Sequence, residues 1–100
     1  LSKYPSITAI LGLSDLLAIG ALFEAQDQGR SVPSALSIMG FDNLALGVAT
    51  SPPLTTVRLG VSEMATRTAD ALCAHLANGT GLFAYEVNSQ VIERASVQRR

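Results

Sequence analysis

Leu36-Ser37-Ile38-Met39-Gly40-Phe41-Asp42-Asn43 decides how this chain is read. No Lys, Arg, Glu or Asp interrupts Leu36–Phe41, Pro33 stands shortly before it, and polar residues follow. A short apolar run bounded in this way reads as a buried strand. Asp42 and Asn43 fall where the strand stops. In parallel α/β sheets, ligands bind just beyond the carboxyl ends of the strands, so a carboxylate and an amide at that edge make a candidate site. Asp and Asn also favour plain turns, because their side chains bond their own backbone. The residues taken alone leave both readings open.

Working outward, Ile7-Thr8-Ala9-Ile10-Leu11-Gly12 is an almost uninterrupted apolar run, as expected of a strand covered on both faces. Ser14 or Asp15 can cap the helix that follows by accepting a first-turn N–H. Leu16–Gln28 is rich in helix formers, and Gly29 with Pro33 beyond it marks the stop. Strand, helix and strand in this span predict a βαβ unit with parallel strands. Both carboxyl ends then share one edge, which brings Ser14-Asp15 beside Asp42-Asn43. The helix between them is apolar on nearly every side over its first turns. Such a helix has more than one apolar neighbour, either a second subunit or another part of the same domain.

Leu44–Thr56 shows no clear period, and Pro52-Pro53 forbids regular helix or central strand there. Thr55-Thr56-Val57-Arg58 favours an extended chain. Val61, Met64, Ala65, Thr68, Ala69, Leu72 and Leu76 then recur at three- and four-residue steps, predicting an amphipathic helix that Gly79 ends. Cys73 lies near its apolar face, as a buried thiol would, and Glu63 and Arg67 have the favourable i,i+4 order. Leu82–Tyr85 and Gln90–Arg94 read as short strands.

Composition sets limits. One hundred residues make one domain at most, and 48% hydrophobic with 15% charged residues excludes a disordered segment. A net charge of −1 with no basic cluster leaves no electrostatic footprint for nucleic acid on this chain. The single Cys73 rules out an internal disulfide and any Cys-based metal site, and fits a reducing compartment. No run reaches membrane-spanning length, and the first residues do not resemble a signal peptide. The chain opens at Leu1 and enters a strand almost at once, so it reads as part of a longer protein. There is no Gly-rich phosphate loop, no Gly-x-Ser-x-Gly elbow and no metal-ligand pair on a helix. His75 has no Cys or second His nearby. No cofactor and no enzymatic activity are expected.

Three segments in this order and spacing resemble the LacI/GalR family of bacterial transcription regulators: Thr8–Leu22, Val32–Asn43 and Ser51–Arg58. The third, Ser-Pro-Pro-Leu-Thr-Thr-Val-Arg, is the most telling, and Val91–Ser96 adds a looser echo. The resemblance implies an α/β fold of parallel-sheet βαβ units, from a two-lobed, periplasmic-binding-protein-like (type I) effector domain whose C-terminal portion this chain would be. It places residues 1 to about 56 in the C-terminal lobe and about 57–60 in an inter-lobe crossing. About 61–90 would then supply a helix and strand of the N-terminal lobe, and about 91–100 a terminal strand and tail.

The implied protein is a cytoplasmic homodimer, a repressor or activator and here read as a repressor, that binds a small-molecule effector such as a sugar or nucleobase. It would meet operator DNA only through an N-terminal helix-turn-helix absent from these residues, and no membrane. Residue by residue, Asp42 matches the family's ligand-contacting Asp, in agreement with the strand-edge argument. Ser14 stands where an Asn usually reaches the ligand, Asn43 replaces a second Asp, and Leu59 stands where a Gln often lines the cleft. Ser14, Asp15, Asp42 and Leu59 are thus the candidate effector contacts, in a site less polar than that of a typical sugar-responsive member. Ile19 and Leu22 match positions that pack subunits together. The alternative is a periplasmic solute-binding protein of the same fold. An enzyme on a doubly wound sheet would need catalytic residues from outside this chain.

Overall fold

The computed structural model describes residues 1–79, 81 and 84–99. The chain forms two compact units, residues 1–58 with 90–100, and residues 59–89.

In the first unit, β1 (Ala9–Leu11) pairs in parallel with β2 (Ser37–Met39), Ile10 facing Ile38. Between them runs α1 (Asp15–Asp27), so the expected βαβ unit is present. Ser14 is its N-cap: the Ser14 hydroxyl accepts the Leu17 N–H at 3.3 Å, satisfying one of the free first-turn donors. At the other end Gly29 takes φ 71°, a left-handed conformation that glycine adopts without a Cβ penalty.

β2 is the central element. Along one edge the Ser37 N–H donates to Thr8 and Met39 accepts from Gly12. Along the other, the Ile38 N–H donates to the Ser96 carbonyl and the Gly40 N–H to the Thr55 carbonyl, each within 2.9 Å. A parallel bridge from Met39 to Thr55 leads into β3 (Thr56–Leu59). β4 (Ser89–Ile92) pairs with β3, where the expected strand from Gln90 lies.

The core forms where the sheet meets α1. Ala18, Ile19, Leu22 and Ala25 from one helix face pack with Leu36, Ile38 and Leu54. At about 25 cal/mol per Å² of apolar area, each such leucine or isoleucine contributes roughly 1.5–3 kcal/mol on burial. Among the described residues the opposite face of the sheet is only partly covered. Leu11 is exposed, and Ala9, Leu11, Ser37, Met39 and Val97 line an open, almost wholly apolar depression of about 380 Å³. The expectation that both faces of the first strand are covered is therefore not met by these residues.

Two further expectations change. The period-free stretch after Asn43 contains a single turn of helix, α2 (Leu46–Ala49), too short for a helical period to register. In the second unit, α3 (Val61–Asn78) ends at Gly79 as expected and carries the Glu63–Arg67 ion pair at 3.0 Å. None of its residues is buried, however, and Cys73 is exposed rather than sequestered. A single helix cannot by itself enclose an apolar stripe, and the described residues of the segment after it bury none of the helix. What that segment adds is Tyr85, whose hydroxyl donates to the Met64 carbonyl at 2.7 Å and lies 2.6 Å from the Thr68 hydroxyl. Of the expected Leu82–Tyr85 strand, Leu82 and Phe83 lie outside the described residues, and Ala84 and Tyr85 are not in a strand. Among the described residues no helix is long and apolar enough to cross a membrane.

Candidate functional site

The loops that follow β1 and β2 meet at the carboxyl edge of the sheet. The Asp15 N–H donates to the Phe41 carbonyl at 2.7 Å, so the start of α1 is tied directly to the end of the central strand. The polar pairs Ser14-Asp15 and Asp42-Asn43 converge there, as parallel strands require.

Their roles differ. Asp15 is fully buried, and both its carboxylate oxygens are taken: Oδ1 accepts from the Thr56 hydroxyl at 2.6 Å and Oδ2 from the Leu44 N–H at 2.7 Å. A buried carboxylate persists only where it is hydrogen-bonded, and this one joins three segments that are distant in sequence. Asp15, a candidate effector contact by position, is thus an internal clamp. Gly40 is what lets it sit there, because a Cβ at Gly40 would run into the Asp15 carboxylate and come within 3.0 Å of Leu54.

Asp42 is exposed. Its backbone has φ 109° and that of Asn43 has φ 55°, two successive non-glycine residues on the left-handed side. Asn tolerates that region through local side-chain bonding. For Asp42 the conformation costs on the order of 1–3 kcal/mol and persists only when neighbours over-determine it. They do so here. The Asp42 N–H donates to the Val57 carbonyl at 2.9 Å, and the Asn43 N–H to the Thr56 hydroxyl at 3.2 Å. Arg94 completes the frame: Nη2 donates to Asn43 Oδ1 and Nη1 to the Leu54 carbonyl, both at 2.8 Å.

Ser14 is half-buried beside this edge; its oxygen caps α1, and a hydroxyl that accepts can still donate. Leu59, half-buried at the end of β3, belongs to the other compact unit. Ile19 and Leu22, expected at a subunit contact, are 5% and 0% exposed and lie in the chain's own core. They are i and i+3 neighbours, on the face that packs on the sheet. The open apolar positions of α1 are Leu16, Leu17 and Phe23, at 62%, 63% and 54% exposure.

Thr56, Arg94 and Ser96 were not among the sequence candidates, yet they organise the edge. Ser96 is buried, accepts the Thr55 N–H at 2.8 Å and donates to the Ile38 carbonyl at 2.5 Å. The signal that could have found them is the run of hydroxyls and a cation inside otherwise β-favouring stretches, Thr-Thr-Val-Arg and Glu-Arg-Ala-Ser. Among the described residues no group of three or more His, Cys, Asp or Glu is placed to hold a metal ion. Chemically, the edge offers an exposed acceptor, Asp42, on a hydrogen-bonded backbone, with a hydroxyl near the start of the adjoining helix. That is equipment for binding a polar small molecule.

Comparison with known proteins gives a consistent result. A family model described as a periplasmic binding protein-like domain matches residues 1–97. An HTH-type transcriptional regulator in the aml 5′ region of Streptomyces limosus is 45% identical over 73 residues, 73% of this chain and 21% of that protein. The HTH-type transcriptional repressor CytR of Escherichia coli (strain K12) is 52% identical over 50 residues, 50% of this chain and 15% of that one. Among solved structures, a LacI family transcriptional regulator from Arthrobacter sp. FB24 in complex with lactose superposes with a TM-score of 0.82 at 26% identity. The match covers 98% of this chain and 37% of that one. The chain spans only 21% and 15% of the length of these two curated relatives. Parallel strands in βαβ order, an acidic residue held at their carboxyl edge and a family match over nearly every residue agree: this chain belongs to the periplasmic binding protein-like domain family, in the form carried by LacI-type transcription regulators.

Proposed function

We propose that this chain is the ligand-sensing and dimer-forming portion of a bacterial DNA-binding transcription regulator, more specifically a repressor, and that Asp42 contacts the effector. The observation that carries the reading is the exposed Asp42 carboxylate, held in a strained backbone at the carboxyl edge of a parallel sheet by buried side chains. An accepting carboxylate suits the hydroxyls of a sugar or the ring N–H groups of a nucleobase, with charge-assisted bonds about twice as strong as neutral ones. That the Arthrobacter regulator is a lactose complex supports a saccharide.

Residues 1–58 with the C-terminal segment belong to one lobe of the effector domain and residues 59–89 to the other, and Ser14 is a second effector contact within the first. Dimerisation falls to the exposed side of α1, through Leu16, Leu17 and Phe23 rather than Ile19 and Leu22. Operator DNA is met through a helix-turn-helix outside these residues, and the protein works in the cytoplasm without a membrane partner and without catalysis. The relatives, regulators named for their HTH segments, favour this over a periplasmic transport component. Calorimetric titration of the full-length protein with mono- and disaccharides and nucleosides, wild type against Asp42→Ala, tests it. A compound that binds the wild type and binds a folded Asp42→Ala protein equally well overturns the Asp42 assignment.

A further inference from the structure

The strained conformation at Asp42 needs a cause, and the bonds to the residues around it supply one. Among the described residues, Asp42 itself is anchored only through its N–H, to the Val57 carbonyl. The two residues after it are held more firmly. The Asn43 N–H donates to Thr56 Oγ1, the Asn43 side-chain oxygen accepts from Arg94, and the Leu44 N–H donates to Asp15 Oδ2. Thr56 is the hub, because one oxygen both donates to Asp15 and accepts from Asn43. Fully buried, it presents nothing to solvent. A hydroxyl that donates its hydrogen to a carboxylate still has lone pairs with which to accept, and the Asn43 N–H uses one of them.

We infer that Thr56 and Arg94 are positioning residues for Asp42: together they hold Asn43 from both sides, and through it fix the left-handed bend that presents the Asp42 carboxylate. This rests on the reading of Asp42 as an effector contact and adds how that contact is held. It explains why the second acidic position can be Asn here. The amide oxygen at residue 43 is used inward, by Arg94, so this residue serves the loop and leaves the ligand to Asp42.

The test is deuterium uptake of the full-length protein without ligand, read by mass spectrometry over residues 41–45 and, as control, over α1. Thr56→Val keeps the shape and removes both hydrogen bonds. Uptake over 41–45 should quicken about tenfold, the factor corresponding to one lost hydrogen bond, and by more than over α1, whose first residue, Asp15, also loses a partner. Thr56→Ser restores the hydroxyl and should return uptake to the wild-type rate. Arg94→Met keeps the aliphatic stem and should loosen the same loop from the other side, so the inference stays testable if Thr56→Val does not fold. Unchanged uptake over 41–45, or uptake rising equally in α1, overturns it, since a merely structural role loosens both together. The Asp42→Ala titration is a separate readout: unaltered affinity there with a loosened Thr56→Val loop refutes the effector contact and leaves the positioning intact.

Discussion

Arg94 and Asn43 are joined by a hydrogen bond of 2.8 Å from Nη2 to Oδ1, across 51 positions of sequence. Nη1 of the same guanidinium holds the Leu54 carbonyl, and the Arg94 N–H donates to the Thr55 hydroxyl at 3.0 Å. The planar fork of Arg suits such a bridge, which the point charge of Lys cannot reproduce. One residue near the C-terminal end thus ties the loop after β2 to the entry of β3. The site edge is assembled from the whole length of the first unit and not from one motif.

Asp15 should be worth more to stability than any other polar side chain at this edge. Asp15→Asn keeps the shape, but its NH2 must face either the Leu44 N–H or the Thr56 hydroxyl, leaving a buried donor without an acceptor. A loss of about 1–3 kcal/mol is expected, and a larger one for Asp15→Ala, which strands both donors. Urea unfolding of the full-length protein measures it.

Gly40→Ala should destabilise although alanine is the better residue for extended chain. Its Cβ would collide with the Asp15 carboxylate, and strand β2 cannot shift without breaking the Gly40–Thr55 hydrogen bond. Overpacking of this kind costs about 1–3 kcal/mol. A Gly40→Ala melt superimposable on wild type would show that the strand end yields.

Asp42→Gly separates folding from binding. Glycine accepts φ 109° freely, so stability should rise by about 1 kcal/mol or more while the carboxylate is lost. Effector affinity should fall about ten- to a hundredfold, the worth of a hydrogen bond to a charged group. Asp42→Asn, which keeps an acceptor, should lose less. Thermal melts and calorimetric titration of the same preparations decide, and a destabilised Asp42→Gly would mean that the turn depends on the carboxylate.

The two sides of α1 predict opposite phenotypes. Leu17→Glu, on the open side, should leave the fold intact and weaken self-association of the full-length protein, seen by sedimentation at decreasing concentration. Ile19→Glu should fail to fold, because it places an unpaired carboxylate among Ala18, Leu22 and Ile38. Leu22→Ala, a milder insult at the same face, should cost about 2–5 kcal/mol. A folded, monomeric Ile19→Glu protein would return the interface to the inner face.

Local sequence determined the longer elements and their order, though not the single turn of α2. The short apolar run at Leu36–Phe41 holds strand β2, Ser37–Met39, because Pro33 before it and Asp42-Asn43 after it leave room for extended chain and not for a helix. Ser14 caps α1 because its hydroxyl can reach a first-turn N–H whatever surrounds it. Gly79 stops α3 at φ 63° because it alone in that turn lacks a Cβ. Parallel pairing followed from strand, helix, strand, and with it the meeting of Ser14-Asp15 with Phe41-Asp42. What the sequence left undecided were burial and roles. An all-round apolar helix does not say which side meets the sheet, so Ile19 and Leu22 could not be told from Leu16 and Leu17 until the core was seen. An amphipathic stripe states a need for cover and not its supply, which is why Cys73 is exposed. Asp15 and Asp42 are both acids at strand ends, indistinguishable by type or spacing. Only the tertiary fold, by bringing Thr56 and the Leu44 N–H to both oxygens of one and leaving the other exposed on a bent backbone, made the first a clamp and the second a candidate contact.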